Sequence, residues 1–252
     1  MEAIEEFTKV ESIFVRKRNC LVVKGKFAPV FTDYYLNLMQ HGIQPNKDMD
    51  AMLKELMAYF TLHVASRPWA ERHAWTITLR APRCNLFVTG SSLEESVVGR
   101  VFTDNVREPD SSVLYAQLYR DHMDAKTSNI QLQSAMPAEW VEDFYLQSEQ
   151  RMGRCIELPD EEYVLAIAQP DADIEWLAEQ DVESMMALSS REETKLLETR
   201  QFRFHCGCTL TRILPALGSW RNRLDDLFSG EPSIEITCPR CAARYQVTRD
   251  MI

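Results

Sequence analysis

Two periods of apolar residues run along the first two thirds of the chain, and they divide it into short elements. Residues 10–27, VESIFVRKRNCLVVKGKF, place two apolar, β-branched arms around the polar RKRN. That is the pattern of strand, turn and strand, with the basic tetrapeptide expected to be a solvated turn. The segment 29–41 opens on Pro29, a favoured first helical residue, and stops before Gly42, so it is expected to be a helix. Over 47–65, Met49, Met52, Leu53, Leu56, Met57, Phe60 and Val64 step by three and four and form one helical face. A methionine-rich face can be an adaptable binding surface; the plainer reading here is a buried core face.

Strand-like runs follow at 74–79, 84–90, 97–103, 113–119 and 129–135, separated by turn residues. A helix is expected over 137–154, opening on Pro137 and carrying Trp140, Val141, Phe144, Tyr145 and Gln150 at helical spacing. Two strands then lie in CIELP and EYVLAIAQ. The fold class is therefore α+β: residues 1–170 form an N-terminal mixed, mostly antiparallel sheet with flanking helices. At PDAD (170–173) the character changes. Residues 173–200 read as two or three short helices rich in acids, with Ser189 or Ser190 before REE as a candidate N-cap. Residues 171–204 are thus expected to be a thinly packed helical linker, and 205–252 a small C-terminal domain.

Composition narrows the function classes. The chain has 252 residues, 45% hydrophobic and 26% charged, enough for a sizeable core. A formal charge of -10 lacks the basic footprint of a general nucleic-acid binder. No apolar run of about 18 residues suggests a membrane helix, and the acidic N-terminus MEAIEEFTKVESIF has no apolar signal core. The expectation is a cytoplasmic protein with neither a nucleic-acid nor a membrane partner. In a reducing compartment its seven cysteines serve as thiols, metal ligands or redox sensors rather than structural bridges.

Four of those cysteines fall in the last 48 residues. Cys206 and Cys208 stand in FHCGCTL, and Cys238 and Cys241 follow in TCPRCAA, with 29 residues between the pairs. Each C-x-C or C-x-x-C turn can offer two sulfurs, and a chain folded back between them closes a tetrahedral zinc site. The intervening TLTRILPALGSWRNRLDDLFSG reads as two short helices broken at LGSW, and SIEIT and RYQVT as a hairpin with the C-x-x-C at its turn. So short a segment buries little core, so one zinc would supply much of its folding free energy, about 10–16 kcal/mol in zinc peptides. Around tetrahedral zinc, sulfurs sit about 3.7 Å apart, whereas a disulfide needs about 2.05 Å. Oxidation and metal retention exclude each other. A Cys206–Cys208 bond would close a very small ring, eased by Gly207, and strained bonds of that kind are labile. Spacing alone is compatible with a permanent zinc knot as well as with a switch. His205 adjoins the first pair and is expected to be a surface or packing residue; Cys20, Cys84 and Cys155 sit in apolar strands as small core residues. No nucleophile–base pair, P-loop or dinucleotide fingerprint is present, and a tetrathiolate has no open position, so the chain is not expected to be an enzyme.

The stretch from Phe204 to Ile252 resembles the zinc domain of the bacterial redox-regulated chaperone family, heat shock protein 33. The residues that carry the likeness are the two cysteine pairs, Arg212, LG at 217–218, IEITC at 234–238 and the close from Tyr245. EDFYLQSEQ (142–150) is similar to a helix of the family's N-terminal domain, and VVGRV (97–101) to a glycine-bearing strand. The N-terminal region is shorter than usual for the family, and LRAPRCNLFV (79–88) replaces a glycine-rich turn. The resemblance implies an ATP-independent holdase, inactive while reduced and zinc-bound. Peroxide or hypochlorous acid would convert the ligands into Cys206–Cys208 and Cys238–Cys241 disulfides, expel zinc, unfold the C-terminal domain and linker, and expose surface that binds unfolding client proteins, with a homodimer forming on oxidation. The competing reading is a constitutive zinc-ribbon module binding a protein or nucleic acid through Arg212, Arg221, Arg223, Arg240, Arg244 and Arg249.

Overall fold

The structure, a computed structural model, describes residues 6–67 and 70–252. The first strand pair forms as expected: β1 (Thr8–Val15) and β2 (Cys20–Lys26) are antiparallel neighbours. Helix α1 (Ala28–His41) keeps its proline in the first turn, and Gly42 closes it at φ 64°, a left-handed conformation that favours glycine. Helix α2 (Lys47–Ala65) is capped by the Asn46 side chain, which accepts from the Asp48 N–H at 2.8 Å. From Leu56 to Ala65 every residue of α2 is buried, so the methionine-rich face is core and the helix is central.

Strands β3 (Glu71–Leu79), β4 (Cys84–Ser91), β5 (Ser96–Phe102), β6 (Val113–Arg120) and β7 (Lys126–Gln131) follow, then helix α3 (Pro137–Gln147) and strands β8 (Gly153–Leu158) and β9 (Glu162–Ala168). The last predicted strand of the central run is displaced, lying at 126–131 rather than 129–135. Helix α3 stops seven residues short of the expected 154. Ser148 caps it and Gln150 takes φ 53°, so Gln150 is not on the helical face.

Beyond Pro170 the reading as short helices holds only in part. Helices α4 (Ile174–Ala178), α5 (Val182–Met186) and α6 (Leu188–Arg191) are capped by Asp173 and Asp181 at the first two, while Ser189 and Ser190 lie inside α6 and cap nothing. Residues 194–200, expected to be helical, belong instead to an 11-residue strand, β10 (Thr194–Phe204). The acidic and basic residues of TKLLETRQFRF concealed a period-two pattern in which Arg200 and Phe202 are buried. The last module holds α7 (Leu210–Ile213), a 3-10 stretch over Leu214–Arg223 that runs through LGSW, α8 (Leu224–Phe228), and the hairpin β11 (Ser233–Thr237) and β12 (Arg244–Thr248).

Among the described residues the main sheet has ten strands in the order β7-β6-β3-β4-β5-β10-β1-β2-β9-β8. It consists of two antiparallel halves joined where β10 pairs in parallel with β5 through two residue pairs, Arg203 with Ser96 and Phe204 with Val97. One face packs on α1, α2 and α3 around Trp75, Phe60, Tyr59, Phe31 and Trp140. Gly99 of β5 lets α2 approach closely there: a Cβ would lie 2.9 Å from the Met57 side chain, which would have to shift. The opposite face of the β1-β2-β9-β8 half is covered by the linker helices: Leu177, Met185 and Leu188 pack on Ile13, Val15, Val22, Val164 and Ala166. Covered on both faces, β9 is buried at every position from Tyr163 to Ala168 rather than alternating. Among the described residues no helix is long and apolar enough to cross a membrane.

Candidate metal centre and its seat on the sheet

Strand β10 carries the chain from the linker directly to Cys206. The His205 N–H donates to the Val97 carbonyl at 2.9 Å, the last tie to β5 before the first cysteine pair. Gly207 turns the chain with φ 63°, and Arg212 Nη1 donates to its carbonyl at 2.8 Å. The second pair sits in the turn between β11 and β12, as the sequence suggested. There the Cys238 N–H donates to the Ala243 carbonyl at 2.8 Å and the Ala242 N–H to the Cys238 carbonyl at 3.0 Å.

These turns bring the sulfurs of Cys206, Cys208, Cys238 and Cys241 within 4.8 Å of one another. Between the pairs, the Cys206 sulfur lies 3.7 Å from Cys238 and the Cys208 sulfur 3.4 Å from Cys241. A tetrahedral tetrathiolate zinc site has sulfurs about 3.7 Å apart, from Zn–S distances of about 2.3 Å. The four soft, convergent donors and their spacing fit such an ion. Without a cation the sulfurs cannot all ionise. The Cys206 thiol, hydrogen-bonded to Cys238, is pushed up, while Cys238, accepting from Cys206 and Cys241, is held well below the ordinary thiol value.

The centre is seated on the N-terminal sheet. Cys238 and Cys241 are buried against Val98, with Phe204, Ala243 and Tyr245 packed around them. Arg100 Nη1 donates to the Cys238 carbonyl at 3.3 Å, and Arg212 approaches Glu94 at 3.8 Å. The Tyr245 hydroxyl donates to the Cys208 carbonyl at 2.9 Å and lies 3.1 Å from its sulfur. His205 stands outside the four-sulfur group. Cys20, Cys84 and Cys155 are buried singly in strands, and burial raises all three thiols.

The basic turn is not merely solvated, contrary to the reading of RKRN. It forms a 3-10 turn over Arg16–Arg18 that grips the linker at both ends. Arg18 pairs with Asp173 at 2.8 Å, at the start of α4, and with Glu192 at 3.0 Å, after α6. Arg16 pairs with Glu193 at 3.1 Å, and its N–H donates to the Glu193 carbonyl at 3.0 Å. Asn19 Nδ2 donates to the Asp171 carbonyl at 3.2 Å. The only signal in the sequence was a run of cations facing an acidic linker about 155 residues away.

The family model for the Hsp33 protein matches residues 157–248, from β8 to the end of β12. No curated protein matches the sequence. Among solved structures, the fold is similar to that of the 33 kDa chaperonin, the heat shock protein 33 homologue of Thermotoga maritima. The likeness has a TM-score of 0.74 at 16% identity and covers 98% of this chain and 96% of that one. The sequence likeness to the Hsp33 model thus covers the linker and the sulfur module, and over nearly the whole length the likeness to the Thermotoga chaperonin is one of fold.

Proposed function

We propose that this protein is a redox-regulated, ATP-independent chaperone, a holdase for unfolding proteins in the cytoplasm. The observation that carries the reading is the four-sulfur cluster docked on Val98 and Arg100 at the end of β10. A change at the sulfurs acts on the strand that joins the halves of the sheet and leads back into the linker. In the reduced state Cys206, Cys208, Cys238 and Cys241 hold one zinc, which supplies the cross-link that residues 205–252 need to stay folded. Residues 1–170 act as the chaperone body, 171–204 as the linker and 205–252 as the switch.

Oxidation forms Cys206–Cys208 and Cys238–Cys241 bonds. For each, two thiolates lose one electron apiece, the S–S bond forms and the O–O bond of a peroxide breaks; with two protons, the peroxide leaves as two waters. The sulfurs must close from metal-ligand spacing to about 2.05 Å, so they cease to be a tetrahedral donor set. The switch module then loses its fold and its hold on β5. The linker is freed in turn, and apolar surface beneath α4, α5 and α6, including Ile13, Val22 and Val164, becomes available to clients. Family likeness supplies the client-binding step, the pairing of the disulfides and the oxidised homodimer. The test is a peroxide titration of the reduced, zinc-loaded protein with disulfide mapping and a client aggregation assay. Within-pair disulfides appearing together with suppression support the reading; suppression that is equal before and after oxidant removes it.

A further inference from the structure

At one end of the N-terminal core the alternation of β3 breaks its own rule. Glu71 and His73 share the parity of Trp75, Ile77 and Leu79, so they face inward, and both are almost wholly buried. They join a chain of polar groups from three other elements. The Tyr145 hydroxyl lies 3.0 Å from His63 Nδ1, His63 Nε2 lies 3.3 Å from His73 Nδ1, and His73 Nε2 lies 3.2 Å from Glu71 Oε2. Arg120 Nε donates to Glu71 Oε1 at 2.8 Å. Arg67 Nη1 donates to Glu149 at 2.7 Å and its Nε lies 3.5 Å from Glu71. Burying this many charged and polar groups is costly unless each is paired. The sulfur centre makes no use of them, and places where a core departs from its own pattern are where binding sites are to be sought.

The cluster is not sealed. It forms the inner wall of a pocket of about 490 Å³, in the size range of small-molecule sites. His63, His73 and Phe144 line it on the core side, and Arg67, Arg120 and Lys126 bring positive charge to it. Lys126 has no ion-pair partner among the described residues. Counting Arg151, which pairs with Glu149 at 3.4 Å, four cations face two carboxylates here, in a chain whose overall charge is -10. Ser128 and Ser148 also line the pocket with their hydroxyls 2.7 Å apart; since one must donate to the other, the second hydroxyl keeps its proton for a ligand. Ala116 and Leu118 add apolar wall beside Phe144.

We propose that this pocket binds a small organic anion, a phosphate or carboxylate carried on a compact apolar body. The anionic head takes Lys126, the outward edge of Arg120 and the free hydroxyl proton; the body lies along Phe144, Ala116 and Leu118. Charge-assisted hydrogen bonds at a partly desolvated wall are the strong class, and the existing ion pairs hold the donors in place before a ligand arrives.

The proposal is independent of the redox reading and is tested on the reduced, full-length, zinc-loaded protein. Imidazole NMR signals of His63 and His73 are followed during titration with phenyl phosphate, with benzoate, and with neutral benzyl alcohol, at constant ionic strength. Expected are saturable shifts of both histidines with at least one of the two anions and none with the alcohol; the tighter anion identifies the head group. Lys126→Gln, at an exposed position of β7, should weaken that binding about tenfold without altering the fold, the loss of one charge-assisted contact. Ser148→Ala should weaken it less. No saturation with either anion, equal response to benzyl alcohol, or unchanged affinity in Lys126→Gln would overturn the assignment.

Discussion

The two ends of this chain are held together by different physics. The N-terminal body buries Trp75, Phe60, Phe144, Trp140 and a central helix in one apolar cluster, with Trp75 packed 4.6 Å from Phe144 and 5.2 Å from Phe60. The C-terminal module buries Cys238, Cys241, Ala242, Val247 and Phe228, and its helices α7 and α8 are one turn each. Burial is distributed over dozens of contacts and does not vanish when one is lost. Four sulfurs around one ion would form a single point of failure. On the proposed reading that failure point lies at the end of β10, the strand that leads out of the linker helices and joins the two halves of the sheet.

The comparison breaks most visibly if the metal is removed. Treating the reduced protein with a chelator should unfold residues 205–252 while the N-terminal body stays folded. Zinc sites of this kind supply about 10–16 kcal/mol to small modules. Amide hydrogen exchange read by region checks this: protection should disappear from β11 and β12 and persist in α2 and β3. Cys238→Ser should reproduce the result without chelator. The converse substitution, Trp75→Ala, should cost the N-terminal body about 3–5 kcal/mol, the usual range for emptying an aromatic core site, and leave zinc content unchanged. Denaturant midpoints and metal analysis on the same samples separate the two.

Smaller effects sharpen the coupling between the regions. Arg18→Gln removes the side chain shared by Asp173 and Glu192. It should raise hydrogen exchange across 173–193 with zinc still bound, because a network that joins both ends of a segment matters more than an isolated surface pair. Exchange unchanged in 173–193 would show that apolar packing of Leu177, Met185 and Leu188 alone holds the linker.

The smallest effect is the pH dependence of the body, where two buried carboxyls act with opposite sign. Burial opposes ionisation of Glu71, but hydrogen bonds from His73 and Arg120 and the Arg67 charge outweigh it and hold the carboxyl down at about 2. Its contribution is present above the ordinary value of 4.5 and is lost as pH falls toward 2. Glu55 is pushed by burial up to about 7, against a hydrogen bond from the Ala138 N–H. It binds a proton more tightly folded than unfolded, so stability falls as pH rises from 4.5 to about 7. Thermal midpoints of Glu71→Gln and Glu55→Gln should therefore flatten opposite limbs of the pH curve, acid for the first and neutral for the second.

Much of this could be read in the sequence where one period dominated. The span of α2, the hairpin around TCPRC and the convergence of four cysteines each followed from local spacing with turn residues at fixed positions. Strand β10 could not be read that way. Leu196 and Leu197 are adjacent and exposed, the buried residues include an arginine, and its place in the sheet is set by partner residues 107 positions away in β5 and 179–194 away in β1. The same applies to the basic turn: a cluster of cations reads as solvated until its partners are brought to it. The buried His63–His73–Glu71 chain was hidden because helix and strand each look ordinary alone, and only their contact makes polar groups out of core positions.

The central claim is that metal, switch module and linker form one mechanical series. It is tested most directly by hydrogen exchange and zinc release measured together along a peroxide titration. Zinc loss should coincide with loss of protection in 205–252 and then in 173–204, with α2 and β3 protected throughout. Zinc retained after full thiol oxidation, or a linker that stays protected once zinc has gone, would contradict it.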